Sequence, residues 1–414
     1  MDLRAKTGGR QKGTPNKRTV EVQERLEALG CDPIEGMARI AMDETAAIEL
    51  RGRMYAELAQ YVAPKRKAIE VEATGGGLSF VTAKPVVSPE RPSLQAHVVD
   101  AIVRLTVKRR INRARDPRKM REALEAAAAP RLMNHVKLPK AALFRTAELA
   151  GVPGEWVSWE GVTPRATLLY LHGGGHVACS PRTHRPITAG FARRGLNVFA
   201  PDYRLAPEHP FPAAIDDAVG VWRDLLARAP GEPPPFVGGD SAGGGLTLAL
   251  TLKLRELGER LPSGLVLFSP WTDLTISGAS AETNREREAM FTLEAGRRLV
   301  SMYLNGADPR DPLASPVFAD LHGMPPLLIH VGEREMLLDD SVRLAERARA
   351  AGVQAELAIW PVVPHVWQIV RGLPEAARSL DQAAAFMMAQ PRPMRVAPPV
   401  LHDSAPCAQL TAQV

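Results

Sequence analysis

The sequence predicts an α/β protein with a mostly parallel sheet, flanked by helices and covered at one end by a helical cap. Three observations carry this expectation. Short apolar runs, "ATLLYLH", "LNVFAP", "PPFVGG", "GLVLFSP", "PLLIHVG" and "AELAIWP", recur through the middle of the chain. Stretches with helical spacing, such as "PAAIDDAVGVWRDLLARA" and "SVRLAERARAAG", separate nearly all of them, and such alternation builds a parallel sheet covered on both faces. Two glycine-rich loops, "HGGG" and "GDSAGG", follow directly on apolar runs, at strand carboxyl ends, where ligands gather on such sheets.

The elements fall into three regions along the 414 residues. Residues 1–90 are polar and partly helical, and end in the Gly-, Ser- and Pro-rich linker "EATGGGLSFVTAKPVVSPERP". Residues 93–390 hold the alternating pattern; the part from 93 to 150 reads as helical and is the expected cap, ahead of a first strand "EWVSWEG". Residues 391–414 are Pro-rich and expected to be disordered. Apolar residues make up 45% of the chain, enough for a sizeable core. No apolar run approaches the roughly 18–20 residues that span a bilayer, and the basic N-terminus lacks the apolar stretch of a secretory signal. Cys31, Cys179 and Cys407 are few and far apart, which disfavours a disulfide framework or thiolate metal site and suits the cytoplasm.

The net charge of +6 is concentrated in the first twenty residues and in "VKRRINRARDPRKMR" over 107–121. Such clusters can contact phosphates or anionic lipid, and they are also what a solvated helix face looks like.

The chemistry-bearing loops begin with His172-Gly173-Gly174-Gly175, where consecutive glycines let backbone N–H groups approach a ligand closely. Acyl transfer needs such donors, because the carbonyl oxygen becomes an oxyanion in the transition state. The second loop, Gly239-Asp240-Ser241-Ala242-Gly243, fits the G-x-S-x-G pattern between an apolar run and a helical one. That setting is a nucleophile elbow, which makes Ser241 the candidate nucleophile and the Ala242 N–H a further oxyanion donor.

A serine needs a base, and the base an orienting acid, in the order serine, acid, histidine. Beyond Ser241 stand His322 in a loop, His330 inside "PLLIHVG", His365 in "WPVVPHVWQ" and His402 in the tail. His330 reads as a core residue, and His365, after the last strand, is the candidate base. "HVGEREMLLDDS" offers Glu333, Glu335, Asp339 and Asp340 as the acid. Asp339 and Asp340 would suit the cap of the following helix, which leaves Glu335 preferred.

"HGGG", "PDYRLAPEHPFPAA", "GDSAGG", "SPWTDLT", "PLASP" and "EMLLDDS", followed by "HVWQ", resemble in their order the hormone-sensitive-lipase-like family of α/β-hydrolase fold esterases. The resemblance covers about residues 93–390. It implies Ser241 as nucleophile, His365 as base and then acid, and an oxyanion hole from Gly173, Gly174 and Ala242. It also places the acid at Glu335, the first position of the family's D-P-L-x-D stretch, where aspartate is commoner. It favours short-to-medium acyl esters, with lactones as an alternative, and implies no cofactor or metal. "YRLAPE" is expected to fix the loop below the oxyanion glycines through Arg204 and Glu208. Two departures stand out: His176 and Cys179 replace a usual aromatic and glycine after "HGGG", and Val362-Val363 replace a Gly-Met pair before the histidine.

The N-terminal segment resembles basic phage-type segments around "KGTPNK", for which a weak, sequence-independent nucleic-acid contact is the expectation. No zinc spacing, Walker loop or dinucleotide fingerprint is present. The rival reading from another class is a non-catalytic binding protein on a hydrolase scaffold. The sequence leaves monomer and homodimer open.

Overall fold

The computed structural model describes residues 86–87, 91–128 and 138–391. The chain divides into two units, Met1–Lys84 and Pro85–Val414. The expectations for the N-terminal segment and for the tail from 392 onward fall outside the described residues.

Among the described residues of the second unit, nine strands form one sheet: β1 (Val86–Val87), β2 (Ala142–Leu149), β3 (Val152–Trp159), β4 (Ala166–Leu171), β5 (Leu196–Pro201), β6 (Phe236–Asp240), β7 (Leu265–Phe268), β8 (Leu327–Gly332) and β9 (Ala355–Trp360). Their order is β1-β9-β8-β7-β6-β4-β5-β3-β2. β3 runs antiparallel to both β2 and β5, and the remaining pairs are parallel. The six apolar runs are β4 to β9. Within them, neighbouring residues serve opposite faces, as the two-residue period of a strand requires. Leu169, Leu171, Val237, Leu265, Leu267, Ile329 and Val331 enter one core, while Leu168, Tyr170, Phe236, Val266, Phe268 and Leu328 enter the other. Helices α3 (Arg185–Arg193) and α9 (Pro374–Ala389) cover the second face. Helices α4 (Ala213–Arg228), α5 (Ala242–Glu256) and α8 (Leu338–Ala350) cover the first, with α6 (Ser280–Thr283) and α7 (Leu293–Leu304) lying between α5 and α8 along the chain.

The expected helical cap over 93–150 is shorter than that span. Helices α1 (Leu94–Arg113) and α2 (Pro117–Ala128) are present, but Ala142–Leu149 is β2, paired along its length with β3. The link between the two strands is Ala150-Gly151, both with positive φ (50° and 79°). A tight hairpin needs that geometry, but it is usually signalled by Asn-Gly or Asp-Gly, and alanine hides it. The first strand of the hairpin was therefore missing from the sequence pattern. Val86–Val87, inside the expected linker, pairs with β9.

α1 begins at Ser93, whose hydroxyl accepts from the Ala96 N–H and donates to Glu375. Its buried apolar residues, Ala96, Val99, Val103, Val107 and Ile111, recur every three or four positions. They share a third core with Leu124 of α2, Leu299, Trp360 and Trp367.

Packing leaves no room for a side chain where α5 crosses β4 and β6. A Cβ on Gly243 would sit 2.1 Å from the Leu171 carbonyl oxygen and 2.4 Å from that of His172. One on Gly239 would sit 2.3 Å from the Gly243 oxygen. Gly243→Ala should therefore destabilise the fold by roughly 3 kcal/mol or more, since overpacking against backbone outweighs the ~1 kcal/mol helix-propensity gain of alanine. Thermal denaturation of that variant checks this; an unchanged melting temperature would show that the helix can move off the strand.

Candidate active site

β6 ends at Asp240, and α5 starts at Ala242, so the chain reverses at a single residue. Ser241 has φ 52° and ψ −123°, a region costly for a residue with a Cβ. The turn is held by backbone hydrogen bonds: Ser241 N–H donates to Phe268 O, and Trp271 N–H donates to Ser241 O. Ser241 is buried in its surroundings but lines two adjoining cavities, of about 40 and 50 Å³.

His365 follows β9 and lines the second of these cavities with Ser241 and Gly174. Its Nδ1 lies 2.6 Å from Oε2 of Glu335, both residues being buried. The other carboxylate oxygen of Glu335 accepts from the Gly332 N–H (2.6 Å) and the Ser269 hydroxyl (2.7 Å). The acid is thus fixed by β8 and by the loop after β7. Burial acts to lower the imidazole pKa, but the charge and hydrogen bond of Glu335, helped by Glu288 and Asp240, outweigh it and leave His365 raised. Nε2 of His365 is buried and has no hydrogen-bond partner among the described residues. Phe291 packs edge-on against the ring, with centroids 5.1 Å apart.

Gly173 and Gly174 follow β4. A Cβ on Gly173 would lie 2.2 Å from Asp240 Oδ2, and Gly174 has φ 120° with the Ala178 oxygen 2.1 Å from where its Cβ would be. Only glycine fits either position. The N–H groups of Gly173, Gly174 and Ala242 donate no hydrogen bond among the described residues; for Ala242 this is the free donor of a helix's first turn. Gly174 lines the cavity, whereas Gly173 lies behind it against Asp240.

Other expectations change on contact with the structure. The loop below the glycines is held by Tyr203, whose hydroxyl donates to His172 O at 2.6 Å, and by Ala206 N–H donating to His176 O. Arg204 instead pairs with Asp217, and Glu208 pairs with Arg121 of α2. Neither Asp339 nor Asp340 caps α8, whose N-cap is Leu337. Asp339 accepts from Ser280 N–H. Asp340, pushed up to about 7 by burial, accepts from the N–H groups of Thr272 and Asp273. His330 is a core residue, its Nδ1 2.8 Å from Ser379 Oγ, and burial lowers it to about 3. His322 is exposed beside Asp320, and His402 lies outside the described residues. Among the described residues, no group of His, Cys, Asp and Glu is arranged to hold a metal ion.

The departures after "HGGG" are absorbed locally. His176 stacks on Tyr303 with centroids 3.8 Å apart and is lowered to about 3 by burial, then by His172, so a neutral imidazole occupies the aromatic's place. Cys179 adopts φ 76°, lines the same cavity as His365, and burial pushes its thiol up.

Sequence reasoning gave no role to Asp240, His184, Ser269 or Glu288. Asp240 accepts from the Tyr170 hydroxyl (2.7 Å) and lies 3.2 Å from His184 Nε2. Burial alone would raise its carboxyl, but His184 and the Tyr170 hydrogen bond hold it below the usual range. Glu288 accepts from the N–H groups of Met290 and Met336, and burial, then the charge of Glu335, raises it. Ser269 and Asp240 stood inside quoted motifs, where a signal existed; Glu288 had none.

Residues 168–369 match the model of an alpha/beta hydrolase fold family. An acetyl-hydrolase of Streptomyces hygroscopicus is 45% identical over 225 residues, covering 53% of this chain and 75% of the relative. An esterase of Acinetobacter venetianus is 38% identical over 246 residues, covering 59% and 81%. Among solved structures, an esterase from the bacterial hormone-sensitive lipase family superposes with a TM-score of 0.67 and 38% identity, over 73% of this chain and 99% of that one. The expected fold therefore holds, and the chain belongs to the hormone-sensitive-lipase-like family of α/β-hydrolase fold esterases, as a lipase-like serine hydrolase acting on carboxylic esters.

Proposed function

We propose that the chain hydrolyses short-chain carboxylic esters through an acyl-enzyme formed on Ser241, without a cofactor. The observation that carries this reading is the buried 2.6 Å His365–Glu335 pair opening on the cavity that Ser241 lines. In the first half-reaction His365 Nε2 takes the Ser241 proton as Oγ attacks the acyl carbonyl. Glu335 holds the Nδ1–H tautomer and stabilises the imidazolium. N–H groups of Gly173, Gly174 and Ala242 receive the oxyanion, each such donor being worth about 2.7–4 kcal/mol in the transition state. His365 then protonates the leaving alcohol, and water repeats the sequence to release the acid.

Because His365 must reach the leaving oxygen, the cavity it lines serves the alcohol. The other, lined by Ser241, Trp271, Ile276, Phe291 and Leu299, serves the acyl group. At about 40 Å³ that cavity has room for roughly three water-sized spheres. This supports acetyl to butyryl groups over longer chains. Lactones remain an alternative within the same chemistry. The few cysteines support a cytoplasmic location, and among the described residues no helix is long and apolar enough to cross a membrane.

Ser241→Ala should abolish hydrolysis of 4-nitrophenyl acetate and butyrate while leaving circular dichroism unchanged. A wild-type chain inert on both esters would instead favour the binding-protein reading. Glu335→Gln should lower kcat about a hundredfold or more. The pH profile gives an independent readout. Hydrolysis needs neutral His365, whose pKa is raised above its ordinary 6.5, so activity should fall as pH drops through a midpoint above that value. Removing the Glu335 charge should move this acid limb to lower pH; a limb that stays put would remove Glu335 from contact with the base. Across an ester series, kcat/KM should drop roughly tenfold or more between butyrate and octanoate, and Leu299→Ala should shift the optimum to longer chains. Equal turnover of both in the wild type would rule out this cavity as the acyl site.

A further inference from the structure

α1 carries an outer face that the hydrolase reading leaves unused. Leu94, Val98 and Leu105 are 78%, 50% and 60% exposed. With exposed Ala101 they fall on one side of the helix, since four residues make little more than a turn. Large aliphatic side chains so exposed on one stripe of a cap helix are unusual for a face meant for water. Along the same helix and into α2 the surface becomes cationic. Arg109, Arg110, Arg113, Arg115, Arg118 and Lys119 are all exposed, against the exposed acids Asp116, Glu122 and Glu125. Asp116 pairs with Lys119 and Glu122 with Arg118, and the four arginines from 109 to 115 have no ion-pair partner among the described residues. Beside them opens a polar cavity of about 490 Å³, where Lys108, Arg115, Arg285 and Arg298 face Glu286 and Glu294. The Nε of Arg298 is buried there without a hydrogen-bond partner among the described residues.

We infer that this face of the cap docks on an anionic lipid surface. Leu94, Val98 and Leu105 enter the acyl boundary, the arginines meet lipid phosphates, and the cavity takes a headgroup. The charge explains attraction to a polyanion in general; the aliphatic stripe selects lipid over nucleic acid, because acyl chains relieve its exposure whereas phosphates and base edges do not. The cap is also the layer over the reaction cavity, with Leu124 and Ala127 of α2 lining the alcohol side. Docking would therefore bring the alcohol end of the site close to a pool of membrane-borne esters. The inference stands apart from the catalytic assignment, because none of these face residues touches Ser241, His365 or Glu335.

The test is co-flotation of the full chain with vesicles of phosphatidylcholine alone and of equal parts phosphatidylcholine and phosphatidylglycerol. Binding to the anionic vesicles, weakened by salt, is expected, with little to the neutral ones. The pair Val98→Gln and Leu105→Gln should lower partitioning about tenfold, and Arg109→Gln with Arg113→Gln about twentyfold. All should leave turnover of soluble 4-nitrophenyl acetate unchanged, which shows that the variants fold. Ser241→Ala should bind vesicles as wild type does, so failure of the catalytic reading and failure of this one are separable. Vesicle binding that survives both α1 pairs overturns the proposal and moves the contact to the basic segment before residue 90. Loss of binding only on charge removal, with equal affinity for RNA in the Val98/Leu105 variant, overturns it in favour of a polyanion site. A dimer by light scattering that dissociates in that variant assigns the stripe to a second copy instead.

Discussion

Ser241 can sit where it does only because nothing intervenes between α5 and the strands β4 and β6. Its backbone is held at φ 52°, a conformation that costs on the order of 1–3 kcal/mol for a residue with a side chain. The cost is offset by packing that tolerates no Cβ at Gly239 or Gly243. The same closeness carries the Ala242 N–H, the first of α5, to the end of β4, where Gly173 and Gly174 follow. The Ser241 turn and the N–H groups of Gly173, Gly174 and Ala242 beside it are therefore one packing solution. A shift of α5 by a methyl group would disturb all of them together.

Around that turn the chain buries more acids and histidines than a hydrophobic core would carry, and each charge has a defined neighbour. Asp240 is held between Tyr170 and His184, and Glu335 between Ser269, the Gly332 N–H and His365. Burial pulls the other way, and at Asp340, helped by the Asp273 charge, it outweighs two backbone N–H donors and pushes the carboxyl up to about 7. The substitution of glutamate for the usual aspartate is accommodated by the donors around Glu335. Its extra methylene lies beside Gly332, where a Cβ would meet Glu335 Oε1 at 2.9 Å. Glutamate thus fits because the strand end beside it has no side chain.

The cap is tied to the loops it covers by arginines and a lysine. Arg121 donates to Val177 O and Ala206 O and pairs with Glu208, so α2 grips the segment after Gly173 and Gly174. Arg104 and Lys108 of α1 donate to the carbonyls of residues 285–288, just before the Met290–Phe291 wall of the cavity. Through Glu288, whose carboxylate binds Met290 N–H and Met336 N–H, that wall is joined to the residue after Glu335. The inward side of α1 is committed to the site, which leaves its outward side available for a partner.

The sequence by itself marked the sheet strands β4 to β9 and the tight turn at Ser241, and it preferred Glu335 over Asp339 and Asp340 as the partner of His365, a pair the structure brings together at 2.6 Å. Their marks are local: short apolar runs separated by helical spacing, glycines where a Cβ has no room, and an ordered set of short motifs. What it left open were relations between distant segments. The β2–β3 hairpin turns on an Ala-Gly link whose backbone, not its composition, carries the signal. Arg204 and Glu208 sit four residues apart in one motif, yet they pair with Asp217 and with Arg121 of the cap. Asp339 and Asp340 have the composition of a helix cap, but their carboxylates reach Ser280 and Thr272 across the fold. Glu288 carries no local mark at all. Tertiary structure decided these because a buried hydrogen-bonding group takes whichever partner packing brings within about 3 Å, and sequence separation does not limit that choice.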